Sequence, residues 1–365
     1  MSLTAGIVGL PNVGKSTLFN AITKAGAFMA NYPFATIEPN VGVVEVNDER
    51  LDNICKLFNP RSIVKTSFSF TDIAGLVKGA SHGEGLGNQF LSHIREVDAI
   101  CHVVRCFDDG NITHVNGKVD PIDDIETINL ELILADLEVV ENRIPKVEKK
   151  AQFKTDKDAV FEYDILMKLK NAFLNGIPAR KVELTDNERL FVKNFSFLTM
   201  KPMMYVLNVS ENDAVSGNEY TKKVSEFAKA EGSRYVIVSA KIEEELSELP
   251  EDEKEMFKEE LGIEESGLDN LIKEAYAMLG LKTFFTAGEK ECRAWTYKDG
   301  MKAPQCAGII HTDFEKGFIR AEIYSYDDLI VYGSEQKLKE NGKIRSEGKE
   351  YVMKDGDVVF FKFNV

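Results

Sequence analysis

Apolar and polar positions change rhythm along the chain. Over the first hundred residues, short apolar runs alternate with helical patterns, as they do in an α/β sheet domain. Ala5–Leu10 predicts a buried strand and Ser16–Lys24 a helix, while Val41–Val46, Lys65–Thr71 and Ala99–Cys106 predict further strands. The next strand-like run, Pro202–Asn208, begins 96 residues after the last of these ends. A simple βαβ crossover needs only about a dozen residues or somewhat more, so the gap holds something else.

Helical sequence fills it. Ile125, Ile128, Leu132, Ala135 and Val139 step by threes and fours, a heptad-like seam. Asp120-Pro121 supplies a cap and a first-turn proline. A second helix is predicted over Asp156–Leu174, stopped by Asn175-Gly176, and a third over Asp186–Phe197. The expectation is a helical hairpin projecting from the sheet domain; an ordinary packed helix pair is the alternative. Beyond a strand at Tyr235–Ser239 and a helix near Gly267–Leu279, the pattern changes again. Strand-like runs at Cys306–Ile310, Phe318–Ile323 and Asp357–Phe363, separated by glycine turns, predict a small mixed α+β or half-barrel domain.

Composition narrows the class. With 44% apolar residues in 365, the chain can bury a sizeable core, and no run approaches the roughly 18 apolar residues of a membrane span. The first residues lack the basic and small-residue signals of a secretory leader. Cys55, Cys101, Cys106, Cys292 and Cys306 are odd in number and form no CxxC pair, which suits a reduced cytoplasm without structural zinc. The net charge of -15 argues against a polyanionic partner. Its distribution weakens that argument. Glu243–Glu265 holds twelve acids against two lysines, a net of -10, which leaves -5 for all the rest. Lys146–Lys157, at the predicted hairpin turn, carries +3. An RNA-rich partner is therefore compatible with the chain, and the acidic run reads as a solvated face or loop.

Candidate chemistry begins at Gly9-Leu10-Pro11-Asn12-Val13-Gly14-Lys15-Ser16, a match to G-x-x-x-x-G-K-[ST] between a strand and a helix. Glycines let successive backbone N–H groups point at a β-phosphate, and the helix N-terminus adds positive partial charge. Lys15 is expected to reach the β/γ-phosphates, Ser16 to bind Mg²⁺, and Asn12, Val13, Gly14 and Thr17 to line the nucleotide. Asp72-Ile73-Ala74-Gly75 follows an apolar strand, so Asp72 can hold Mg²⁺ through water and Gly75 can sense the γ-phosphate. Thr36 is placed to be a further hydroxyl ligand to the metal.

Base recognition departs from the guanine pattern N-K-x-D. Here a strand ends in Asn208-Val209-Ser210-Glu211, with Val209 in place of the lysine and a longer carboxylate at Glu211. Ser239-Ala240-Lys241 resembles the backbone loop that completes a base pocket. Relaxed guanine specificity or a preference for ATP follows. The residue after the D-x-x-G is Leu76, which cannot orient water, so slow intrinsic turnover is expected. His114 lies in a glycine-punctuated loop and is the candidate to orient water, with His82 as its rival. His311 with Asp313, and Trp295, read as structural.

The loop GLPNVGKST, the run DIAGLVKGASHGEGLGNQFLSHIREVDAI, the segment NVSE and the stretch GIIHTDFEKGFIRAEI together resemble the YchF (Obg-like ATPase) family of TRAFAC-class P-loop NTPases, over the whole length. The resemblance implies a Ras-like G domain over 1–120 and 200–280, a coiled-coil insertion over 121–199, and a C-terminal TGS domain of β-grasp type over 281–365. It implies ATP binding with slow hydrolysis, and a role for His114. It also implies a cytoplasmic protein that associates with ribosomes, at the large subunit or the 70S particle, through rRNA contacts. Neither membrane nor DNA is an expected partner, and a monomer is expected. Where the family has N-M-S-E, this chain has NVSE, one apolar exchange at Val209. Asn12 lies where some potassium-activated relatives ligate K⁺, which makes K⁺ a candidate activator. A GTPase with unusual base contacts, or a nucleotide-stabilised scaffold with little turnover, are the competing readings.

Overall fold

A computed structural model describes residues 3–25, 28–29, 40–73, 86–114, 117–153 and 156–364. Thr36, Gly75, Leu76 and His82 lie outside these residues. The strands are β1 (Thr4–Val8), β2 (Phe28–Met29), β3 (Val41–Val46), β4 (Ile63–Val64), β5 (Thr66–Asp72), β6 (Ala99–Arg105), β7 (Met203–Asn208) and β8 (Arg234–Val238). They continue as β9 (Leu281–Thr286), β10 (Cys292–Lys298), β11 (Phe318–Ser325), β12 (Arg345–Glu347) and β13 (Asp357–Phe363). The chain divides into two compact units, Met1–Val43 with Ser69–Ala275, and Val44–Phe68 with Tyr276–Val365.

The first unit is built on a sheet of order β2-β3-β5-β1-β6-β7-β8. Strands β5, β1, β6, β7 and β8 run parallel, and β2 pairs antiparallel to β3. All of β6 and β7 is buried, the continuous apolar character of a parallel sheet covered on both faces. Parallel strands place their C-terminal ends along one edge, where ligands bind in such sheets.

The span between β6 and β7 is helical, as its pattern predicted. Asp120 caps a helix over Pro121–Gln152, and Asp156 caps one over Lys157–Leu174 that ends at Asn175, with Gly176 at a φ of 70°. The pairing surface differs from the expected seam. Ile125, Ile128, Leu132 and Ala135 are buried, but the cluster joining the two helices is built from Ile133, Val140 and Val147 against Ile165, Leu166, Leu169 and Phe173. With Leu137 and Ile144 this second stripe also steps by threes and fours. A helix with two such stripes buries two faces, so one period in the sequence did not reveal which face met the partner helix. Asp136 lies on the same helix, 1% exposed, and accepts from the Leu198 and Thr199 N–H groups and the Thr199 hydroxyl. It secures the chain entering β7.

The acidic run is helical too. It forms Ala240–Glu248 and Glu251–Leu261, and its first acid, Glu243, is buried, accepting from Ser266 Oγ and the Gly267 N–H.

The second unit has a sheet of order β12-β11-β13-β9-β10-β4. One apolar cluster contains Phe284, Tyr297, Cys306, Ala307 and Phe361, and another contains Leu51, Ile54, Cys55, Phe285, Cys292 and Leu329. Residues 44–68 belong here because the helix Glu49–Phe58 places Leu51, Ile54 and Cys55 in that second cluster. Cys306–Ile310, read as a strand from its apolar run, is the end of a helix, Ala303–Ile310. Pro304 in its first turn and the Lys302–Gln305 cap start that helix, and Ala303, Cys306 and Ala307 bury one face of it. His311 caps the next short helix through Nδ1, which accepts from the Asp313 N–H at 3.2 Å. Trp295 stacks on Phe284 and donates to Thr286 Oγ1. The five cysteines are free and buried. Among the described residues no helix is long and apolar enough to cross a membrane.

Candidate nucleotide-binding site

Each functional segment leaves the C-terminal end of a parallel strand. The phosphate loop follows β1, Asp72 ends β5, the loop bearing His114 follows β6, Asn208 ends β7, and Ser239 follows β8. Together, residues from these segments other than Asp72, His114 and Ser239 line a cleft of about 980 Å³, among them Lys15, Ser16, Phe107, Asn208, Glu211 and Lys241. The parallel register brings together groups that are two hundred residues apart in sequence.

In the phosphate loop, Asn12 and Gly14 adopt positive φ of 63° and 89°. The helix Lys15–Ala25 begins directly after it, with Leu18 N–H bonded to the Gly14 carbonyl. Its first N–H groups therefore face the cleft without internal partners, as an anion site requires. Lys15 is 9% exposed, and its Nζ lies 2.7 Å from Asp72 Oδ1. Ser16 is exposed on the cleft wall, and Thr17 also lines it.

Asn208 joins the two sides of the site. Its Nδ2 donates to the Val13 carbonyl at 2.8 Å, and its Oδ1 accepts from the Ala240 N–H at 3.0 Å. Each end of the amide is held by backbone, so this side chain shapes the pocket it lines. Val209 is buried, and its N–H donates to the Val238 carbonyl. Glu211 extends into the cleft and is paired with Lys241 at 2.5 Å. That bond raises the lysine's pKa and engages one oxygen of the carboxylate that stands where N-K-x-D proteins have their aspartate. Ser239 is buried, and its Oγ has no hydrogen-bond partner among the described residues.

His114 is not solvent-exposed, as a loop histidine usually is. It is 7% exposed, with Nε2 3.0 Å from Asp124 Oδ2 on the helix Pro121–Gln152. Burial raises the Asp124 carboxyl above its usual range, against the opposing effect of the imidazole. The preceding residue, Thr113, accepts from Asn12 Nδ2 at 3.1 Å, so the histidine loop is tied to the phosphate loop.

Sequence reasoning missed Arg105 at the end of β6, which is 1% exposed beside this loop. A basic residue closing an otherwise apolar strand was the available signal.

Similarity to known proteins agrees with this geometry. Residues 4–143 match a family profile described as a 50S ribosome-binding GTPase, and residues 281–364 match YchF-GTPase_C, described as a protein of unknown function. The ribosome-binding ATPase YchF of Bacillus subtilis is 65% identical over the full length of both chains. The chain belongs to the YchF family. Its counterpart from Escherichia coli O157:H7 is 54% identical, again over the full length of both. The solved YchF GTPase of Schizosaccharomyces pombe is 42% identical with a TM-score of 0.87, covering 99% of this chain and 98% of that one. YchF proteins thus carry both nucleotide names, which leaves base preference to the residues of the pocket.

Proposed function

We propose that the chain is a Mg²⁺-dependent switch protein that binds and slowly hydrolyses ATP and associates with ribosomes according to its nucleotide state. The observation that carries the nucleotide choice is the Glu211–Lys241 pair, which lines the same cleft as the phosphate loop. A carboxylate held by a lysine is a poor acceptor for the N1–H and N2–H₂ of guanine, and it repels the adenine N1 lone pair less. Buried Val209 supplies an apolar wall for the base.

Ser16 and Asp72 offer a hydroxyl and a carboxylate, the hard oxygen donors that Mg²⁺ prefers, and Thr36 completes the proposed set. When bound, the ion neutralises charge developing on the phosphates. Lys15 contributes a further positive charge there, and the Gly75 N–H is the proposed γ-phosphate sensor. His114, oriented by Asp124, holds the attacking water. Asn12 is the proposed K⁺ ligand. In this reading residues 121–199 form a coiled-coil insertion, 281–365 a TGS domain, and 1–120 with 200–280 a G domain, except that 44–68 fold with the C-terminal unit. The protein acts as a cytoplasmic monomer.

For the ribosome, the support is the likeness to bacterial relatives named ribosome-binding ATPases and the basic run at the junction of the two long helices. Lys146, Lys149, Lys150 and Lys157 flank Phe153 in the sequence, and Phe153 is 75% exposed. These groups suit rRNA phosphates and an unstacked base, on the large subunit or the 70S particle. Cosedimentation with ribosomes at several salt concentrations, with ADP or a non-hydrolysable ATP analogue, tests the reading. Nucleotide-dependent, salt-sensitive pelleting is expected. Pelleting that ignores the nucleotide, with no multiple-turnover hydrolysis, would leave a nucleotide-stabilised scaffold.

A further inference from the structure

We infer that Arg105 is a positioning residue for nucleotide turnover, holding the loop that walls the pocket and carries His114. This rests on the nucleotide-hydrolysing reading above. Arg105 ends β6, directly opposite Asn208 in the parallel register with β7. Its guanidinium is buried, and no carboxylate pairs with it among the described residues. Three backbone carbonyls take its hydrogens instead. Nε donates to Phe107 at 3.1 Å, one terminal nitrogen to Ile112 at 3.1 Å, and the other to Asp109 at 3.3 Å. The guanidinium also stands 4.7 Å from the centre of the Phe107 ring.

Burying an unpaired charge is costly, so the fold tolerates it only where its hydrogen bonds are satisfied. Here all three acceptors belong to one short loop. The planar fork of an arginine can reach three carbonyls on a folded-back loop, whereas the single ammonium of a lysine cannot match that geometry. The loop's Phe107, Asp108, Asp109 and Ile112 line the nucleotide cleft. The next residues are Thr113, bonded to Asn12 of the phosphate loop, and His114, bonded to Asp124. Arg105 therefore determines the path by which the chain reaches the imidazole, without touching the nucleotide cleft's phosphate end.

Two substitutions in the full-length protein test this, Arg105→Lys and Phe107→Ala. Binding of ADP and ATP, steady-state hydrolysis and amide exchange are measured for each. R105K is expected to stay folded with a lowered melting transition, while kcat and ADP affinity, measured well below that transition, each fall about tenfold. Amides of 109–113 should exchange at least about tenfold faster while β6 and β7 keep their protection. In a cycle with H114A, the double variant should lose no more kcat than H114A alone. Folded R105K with wild-type kcat and affinity overturns the inference, as does full additivity with H114A. Should R105K not fold, F107A must show the same pattern at smaller amplitude, and wild-type behaviour there overturns it equally. Wild-type protein that binds neither ADP nor ATP instead overturns the functional reading, before any variant is considered.

Discussion

A Cβ added to Gly14 would lie 2.1 Å from Nδ2 of Asn208. That single approach links the phosphate loop to the end of β7. No side chain fits at position 14 unless Asn208 leaves, and Asn208 is held by Val13 and Ala240. The positive φ of 89° adds a backbone penalty for any other residue. Gly14→Ala should fold yet lose nucleotide binding. Asn208→Ala leaves a buried carbonyl and a buried N–H without their partner, costing about 2–4 kcal/mol. Denaturant unfolding and ADP titration read the two effects separately.

His114→Ala should lower kcat for ATP about ten- to hundredfold with little change in ADP affinity. Asp124→Asn keeps a hydrogen-bonding group beside the imidazole but removes its charge, so its loss should be smaller. Turnover at saturating ATP decides, and an unchanged kcat in H114A removes this histidine from the mechanism.

Lys241→Ala frees the Glu211 carboxylate. The pair is exposed and therefore weakly held, so the change should be modest. The affinity for GDP relative to ADP should rise by roughly three- to fivefold in calorimetric titration. Wild-type protein is expected to prefer ADP. A wild-type preference for GDP of tenfold or more, about 1.4 kcal/mol, would reverse the base assignment.

Asp136 carries a pH signature. Burial pushes its carboxyl up to about 6 from an ordinary 3.8, against the three donors that favour the charged form. Between those values the folded protein holds more protons than the unfolded chain, so this residue's contribution to stability falls as pH rises. Asp136→Asn cannot titrate and also loses acceptor capacity. The stability gap between wild type and D136N should therefore shrink by about 1 kcal/mol from pH 5 to pH 8. Urea denaturation at both pH values measures it, and a gap that widens contradicts the raised pKa.

The phosphate loop, the strands around it, the cap at Asp120 and the helix starting near Asp156 were all legible in the chain. They depend on turn chemistry and periodicity within a few residues. The segment Cys306–Ile310 was misread because a short apolar run does not distinguish strand from helix, and the deciding proline and cap precede it. The hairpin seam was misread for a related reason, since one helix carried two stripes and only contact with Leu166 and Leu169 selects between them.

The sequence by itself determined that this is a phosphate-binding α/β protein, because a glycine loop between strand and helix makes its anion site from local backbone. It also showed that guanine's usual lysine is missing. Only the tertiary structure decided what Asn208, Glu211, His114 and Arg105 do. Asn208 is consumed by backbone, Glu211 by Lys241, His114 by Asp124, and Arg105 by three carbonyls. The partners of Asn208 and Glu211 lie in other segments at the sheet edge, while those of His114 and Arg105 lie within ten residues along the chain. Pairing and burial are set by which chain ends the parallel sheet gathers, and no local pattern records that.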